Sequence, residues 1–257
     1  ARSVRRPELT DASGRRIRPL HGALFAAPAA VGVPALAALA AVGSVAVGSA
    51  VPGVAFGLGA ALVGWGGVRS IARHRLTRAL EALERGQLAE GIEVLHALAA
   101  TWFAGRGVVS TARLNLSMLA LNAGNADEAL AWASGVRGNA ARSWASTTRA
   151  LALLIRGDPP EDAEDALADA ARGAAGRAVQ PESDAVRILV VWRRDGEESA
   201  RQLAEALYGP GATPLHRALL ARLRERCGSA GGAAELRSAE VHALLAGGLG
   251  GAIAELR

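Results

Sequence analysis

The sequence predicts an all-α protein: an N-terminal two-helix transmembrane hairpin followed by an α-solenoid of about five helix pairs. Three observations predict it. Residues 22–68 contain no Asp, Glu, Lys or Arg across 47 positions. Beyond Arg69, glycines at 86, 124, 157, 196 and 228 recur at separations of 38, 33, 39 and 32 residues. The period-2 alternation of β-branched and aromatic residues that marks strands is nearly absent.

Residues 1–21 form a basic arm without apolar periodicity. Arg15, Arg16 and Arg18 precede the charge-free run, and Arg69, Arg73, Arg75 and Arg78 follow it. A membrane-spanning helix needs ~20 apolar residues, so the run accommodates two spans and exceeds one. The spans fall near 23–42 and 51–68, with a turn around Gly43–Gly53. Trp65 stands near the end of the second span, where an interfacial aromatic is expected. Arginine marks the cytoplasmic side, and with two spans both flanks lie on that side. This predicts a multi-pass protein of the bacterial inner membrane with its N-terminal arm and helical domain in the cytoplasm. A secretory signal fits less well, because its apolar region runs ~7–15 residues.

Gly53, Gly57 and Ala61 follow small-xxx-small spacing. That spacing lets helix backbones approach closely, within the hairpin or between protomers of a homo-oligomer. It also arises by chance in a chain this rich in Gly and Ala. No ionisable residue stands inside the spans, which argues for an anchor over a pore or transporter.

All 29 basic residues are Arg. Together with the abundance of Ala and Gly this reads as a high-GC genome. Residues 1–80 carry ten Arg against Glu8 and Asp11, whereas residues 81–257 carry more acids than arginines. The excess positive charge therefore belongs to the membrane flanks. A nucleic-acid-binding domain carries it on the folded module, so no nucleic-acid partner is predicted. Cys227 is the single cysteine, which excludes an intramolecular disulfide.

The helical-repeat domain spans 69–257. Its punctuation predicts helices near 70–85, 88–103, 108–123, 126–136, 139–156, 160–173, 182–194, 197–207, 214–227 and 233–256, the last breaking at Gly247-Gly248. A fixed period in this range indicates helix pairs that bury their apolar faces by stacking on neighbours. The Asp158–Asp165 acids around Pro159-Pro160 read as a helix start, with Pro in the first turn and acids at the positive end of the dipole. An acidic docking face is the other reading.

The best copy is Ala112–Val136, ARLNLSMLALNAGNADEALAWASGV. Asn115-Leu116 fall in its first helix, Gly124 ends that helix, and Asp127-Glu128-Ala129-Leu130 open the second. This stretch resembles the tetratricopeptide repeat. In that family a small residue follows the inter-helix glycine by five positions, where the helices cross. Gly91 after Gly86, Ala129 after Gly124 and Ala233 after Gly228 match. Asp162 and Arg201 depart from the pattern, with Ala163 and Ala200 adjacent to them. The resemblance covers Arg75–Val136; the remainder shares its period and pairing.

The resemblance implies a superhelix whose first helices line a concave groove that binds protein segments without catalysis. Thr111, Asn115, Met118 and Asn122 would face that groove. Asn115 and Asn122 lie seven apart on one helical face. They read either as ligands for a peptide backbone or as surface and inter-helix polar residues.

Reactive chemistry is hard to find. The absence of Lys removes the P-loop, Schiff-base and kinase lysines. Glu93-Val-Leu-His96 has di-iron spacing but no second copy, so an exposed i,i+3 pair is the simpler reading. No cofactor or metal is predicted. Trp102, Trp132, Trp144 and Trp192, one to a helix, read as core residues, with a binding anchor in the groove as the other reading for one or more of them. The functional reading is a membrane-anchored adaptor that binds partner proteins. The alternative is a hairpin that oligomerises to shape or permeabilise the bilayer under control of its helical domain.

Overall fold

The computed structural model of the chain describes residues 50–257 except 138, 175–180, 211, 229–231, 233–235 and 257. For 50–64, 102, 139–140, 173–174 and 181 only the backbone is described. Among the described residues there are eleven α-helices and no strands. They are α1 Ala50–Glu84, α2 Leu88–Ala100, α3 Arg106–Asn122, α4 Ala126–Ala133, α5 Asn139–Arg156 and α6 Pro160–Ala174. There follow α7 Pro181–Asp195, α8 Glu197–Ala206, α9 Pro214–Arg226, α10 Ala239–Ala246 and α11 Gly248–Ala252. Short 3-10 turns stand at Trp102–Ala104 and Ala254–Leu256.

The boundaries follow the expected ones closely from α2 to α9. Two places differ. The second expected span and the first expected soluble helix are one continuous helix, α1. Nothing between Val68 and Arg69 breaks it, because the change there is from apolar to charged side chains with no Gly-Pro signal. The last expected helix, 233–256, is interrupted at Arg237-Ser238, so that α10 begins only at Ala239, and again at Gly247, where its glycines foretold a break, before α11. Among the residues described in full, no helix is long and apolar enough to cross a membrane. The 23–42 span and the side-chain packing of Gly53, Gly57 and Ala61 lie outside those residues.

All five periodic glycines have positive φ, from 69° to 91°. A residue with a Cβ is strained there. At Gly124 the reason is visible in the hydrogen bonds. Its N–H donates to the Leu121 carbonyl at 2.8 Å and the Asn125 N–H to the Ala120 carbonyl at 2.8 Å. This is the Schellman arrangement that satisfies the last carbonyls of α3. The same pair of bonds closes α1 at Gly86 and α5 at Gly157.

The chain divides into two compact units, residues 1–112 and 113–257, with the division inside α3. In unit 1, α1 and α2 form an antiparallel hairpin. Gly91 sits where a Cβ would fall 2.6 Å from the Leu83 side chain, so the helices cross with no room for one. Ala72, Ala79, Ala82, Leu95, Leu98 and Ala99 are buried around that crossing.

In unit 2 the first helices of the pairs stack on one another: α5 on α7, and α7 on α9. They supply the bulky core, including Leu154, Ile188, Leu189, Leu219 and Leu223. The second helices supply alanines: Ala129 on α4, Ala163 and Ala166 on α6, Ala200 and Ala204 on α8. Small residues on one side and large on the other let paired helices approach closely without voids. The end of the chain returns to the start of this unit. Gly248 lies against the backbone of Asn122 and Ala123, and its carbonyl faces Gly124. Leu249, Ile253 and Leu256 are buried in the same core.

Candidate functional site

The expected groove face lies on α3 at i, i+4, i+7 and i+11. Thr111 and Asn115 are half-buried, and both already interact within the chain. Met118 is 38% exposed and Asn122 is exposed. The open part of this face is therefore its C-terminal half, beside α11. On the opposite side of the helix, the fully buried Ser117 donates its hydroxyl hydrogen to the Ala129 carbonyl at 2.7 Å.

The helix-crossing residues obey a register that glycine counting does not give. Gly91, Ala129, Ala163 and Ala200 are each the fourth residue of their second helix, and all are buried. Ala129, Ala163 and Ala200 have no exposed surface at all. Asp162 is exposed and Arg201 half-buried. The third and fourth pairs depart from the five-residue spacing because their second helices start at other distances from the glycine. Pro159-Pro160 delays α6 to the third residue after Gly157, and α8 begins immediately after Gly196. Gly228 has φ +69°, and Ala233 lies outside the described residues.

A cleft on unit 2 was not foreseen from the sequence. A cavity of about 490 Å³ opens among α5, α6, α7 and α8. Leu167, Ala171, Val190, Val191 and Leu203 make it apolar, and Glu164, Arg187 and Arg194 add charge. Arg187 and Arg194 share a face of α7, seven residues apart. Arg194 holds Glu164 at 2.8 Å and Asp195 at 3.0 Å. Its pKa is raised first by the Asp195 hydrogen bond and then by Glu164. Asp195 is correspondingly lowered by the Arg194 hydrogen bond. Arg187 is exposed and lines the same cleft as Val190 and Val191. Ser143 and Ser183 are buried at the cleft, and Ser183 shares a 3.3 Å hydrogen bond with Thr147. The signal in the sequence was Arg187-x6-Arg194 flanking Val190-Val191. It becomes a site only once α6 packs alongside.

Such a cleft can hold an apolar segment and neutralise a carboxylate. No His or Cys lines it. Among the described residues, no three His, Cys, Asp or Glu side chains group as metal ligands. The Cys227 thiol is pushed up by burial and by Glu198, which disfavours its reactive thiolate. Of the tryptophans, Trp192 is buried and Trp132 half-buried, but Trp144 is 37% exposed. On α5, Thr148 and Leu151 on the same face as Trp144 are buried, so the face is covered from Thr148 onward and open at Trp144 near the helix start.

No protein-family model, no curated protein and no solved structure matches the chain.

Proposed function

We propose that this chain is a membrane-anchored, cytoplasm-facing helical-repeat scaffold that binds partner proteins, with helix pairs of the tetratricopeptide-repeat type. The observation that carries the reading is the continuity of α1. Its first 19 residues, 50–68, are free of charge, and its remainder packs into the first helix pair. At 1.5 Å per residue its 35 residues reach about 52 Å, against a ~30 Å hydrocarbon core. A helix unbroken across that boundary ties the first pair to the second span without a flexible joint. The arginines before residue 22 and after residue 68 favour a cytoplasmic location for both flanks.

Partner binding rests on the open surfaces of the pairs. The cleft beside α7 suits an apolar segment bearing an acidic side chain that meets Arg187. The exposed Met118 and Asn122 end of α3 is a second contact on the first-helix side. A partner held by burial in an apolar cleft is a protein segment rather than a nucleic acid, and no cofactor enters the proposal.

The test is crosslinking in native membranes followed by purification of the full-length chain. Arg187→Glu reverses the charge over the cleft, and the pair Met118→Ala, Asn122→Ala trims the α3 face. The account expects at least one co-purifying protein to fall about tenfold or more with one of these variants, while Trp144→Ala leaves it unchanged. Identical co-purifying proteins in all variants contradict the adaptor reading.

A further inference from the structure

We infer that unit 1 rests on the bilayer surface, with the turn at residues 101–106 seated among anionic phosphate headgroups beside the point where α1 leaves the membrane. The inference builds on the membrane-anchored reading and adds to it a second contact, far from the anchor in sequence.

The first argument is depth. Arg69 is the first charge after the 47-residue run, so it marks the interface on that reading. Its guanidinium stacks over the Trp65 ring at 5.1 Å. An aromatic ring one turn below an arginine suits the headgroup boundary, with the apolar ring deeper and the charge snorkelling outward. The antiparallel run of α2 then brings the chain back to this level. A Cβ on Gly105 would lie 3.6 Å from the Arg69 Nε, so the turn and Arg69 share one depth. Trp102 and Phe103 belong to that turn.

Exposure is the second argument. Between Trp65 and Ile71 every residue is exposed except the half-buried Val68, and Ala72 is the first buried residue among the described side chains of α1. Ile71 is 50% exposed. Among the described residues of unit 1, none buries this stretch. An exposed stretch that is uncharged up to Val68 and basic from Arg69 fits an interface that is apolar on one side and anionic on the other.

Charge is the third. No acid occurs between Asp11 and Glu81, nor between Glu93 and Asp127. The end of unit 1 built from 65–77 and 97–112 therefore carries Arg69, Arg73, Arg75 and Arg106 and no carboxylate. Glu81, Glu84, Glu90 and Glu93 gather at the opposite end of the hairpin. At 1.5 Å per residue that end begins roughly 18 Å from Arg69 along α1. Topology alone explains basic residues flanking a span. It does not explain Arg106, which stands 37 positions beyond Arg69 in the chain and is returned to the same end by the fold. Basic residues near an anionic surface add attraction that decays within a Debye length, so only this end of unit 1 benefits.

The experiment uses the full-length chain with Cys227→Ser and one added cysteine carrying a bimane label, in vesicles containing bromine-labelled lipids. Gly107→Cys reports on the turn, since Gly107 is exposed with open space around its Cβ position. Gln87→Cys reports on the far end, and Ala60→Cys on the charge-free stretch. With phosphatidylglycerol present, quenching at 107 exceeds that at 87 at least threefold. It falls at least twofold on neutral phosphatidylcholine, or when Arg73 and Arg106 are both changed to Gln, while quenching at 60 stays constant. Quenching at 60 with none at 107 above the level at 87 overturns the surface contact and leaves the anchor standing. Quenching at 107 that ignores lipid charge and both arginines overturns the headgroup contact. No quenching at 60 overturns the inference and the anchor together.

Discussion

At the scale of the residue, the small side chain at each helix crossing sets how closely a pair can pack. Ala163 and Ala200 are fully enclosed, and each stands beside a charged residue that is not. Ala163→Leu or Ala200→Leu forces extra carbons between packed backbones and costs about 1–3 kcal/mol. Asp162→Ala stays within about 0.5 kcal/mol, as an exposed substitution. Urea unfolding midpoints separate the two cases. His96 supplies a pH dependence with a definite sign. Burial lowers its pKa from the ordinary value of 6.5. The unfolded chain therefore binds a proton near pH 6.5 that the folded chain refuses until lower pH. Stability then declines as pH drops below about 6.5 and levels off below the folded pKa. His96→Gln reduces the difference in unfolding midpoint between pH 7.5 and pH 5.5.

At the scale of the element, helix ends were the most legible feature. A positive φ is a property of one residue and its glycine, so five glycines foretold five turns. The crossing register was less legible, because it is counted from the helix start, and Pro159-Pro160 moves that start. The cleft was not legible at all. Its arginines are on α7, and its apolar walls also come from α6 and α8, elements whose juxtaposition no local pattern encodes. Trp144 is exposed for a related reason: Thr148 and Leu151 on its face are buried, but near the start of α5 no described neighbour covers that face, which periodicity alone does not tell.

The chain's end gives the sharpest element-scale prediction. Arg193 on α7 grips Glu255 with two hydrogen bonds, at 2.5 and 3.1 Å, and donates a third to the Leu154 carbonyl near the end of α5. The two side chains are 19% and 12% exposed. Arg222 on α9 donates to the Leu256 carbonyl. These contacts fasten the last turn across three stacked helices. Arg193→Ala leaves a largely enclosed carboxylate unpaired and costs about 2–4 kcal/mol. Replacing both Arg193 and Glu255 with apolar residues recovers much of that loss, because the penalty lies in the orphaned charge. A double-mutant cycle in urea measures it.

At the scale of the whole molecule, one continuous helix joins a charge-free stretch to the first helix pair. The all-α class and the pairing of helices follow from glycine spacing and from the lack of strand patterning. The membrane role is argued from the 47 uncharged residues and the arginines on either side. The central claim is that residues 22–68 hold the pairs at the cytoplasmic face of a membrane. Alkaline carbonate extraction of bacterial membranes, paired with protease treatment of sealed right-side-out and inside-out vesicles, tests it most directly. The full-length chain is expected to stay in the extracted membrane, and deletion of 22–68 to release a folded helical protein. Unit 2 is expected to be cleaved only in inside-out vesicles. Release of the full-length chain by carbonate, or cleavage of unit 2 in right-side-out vesicles, would contradict it.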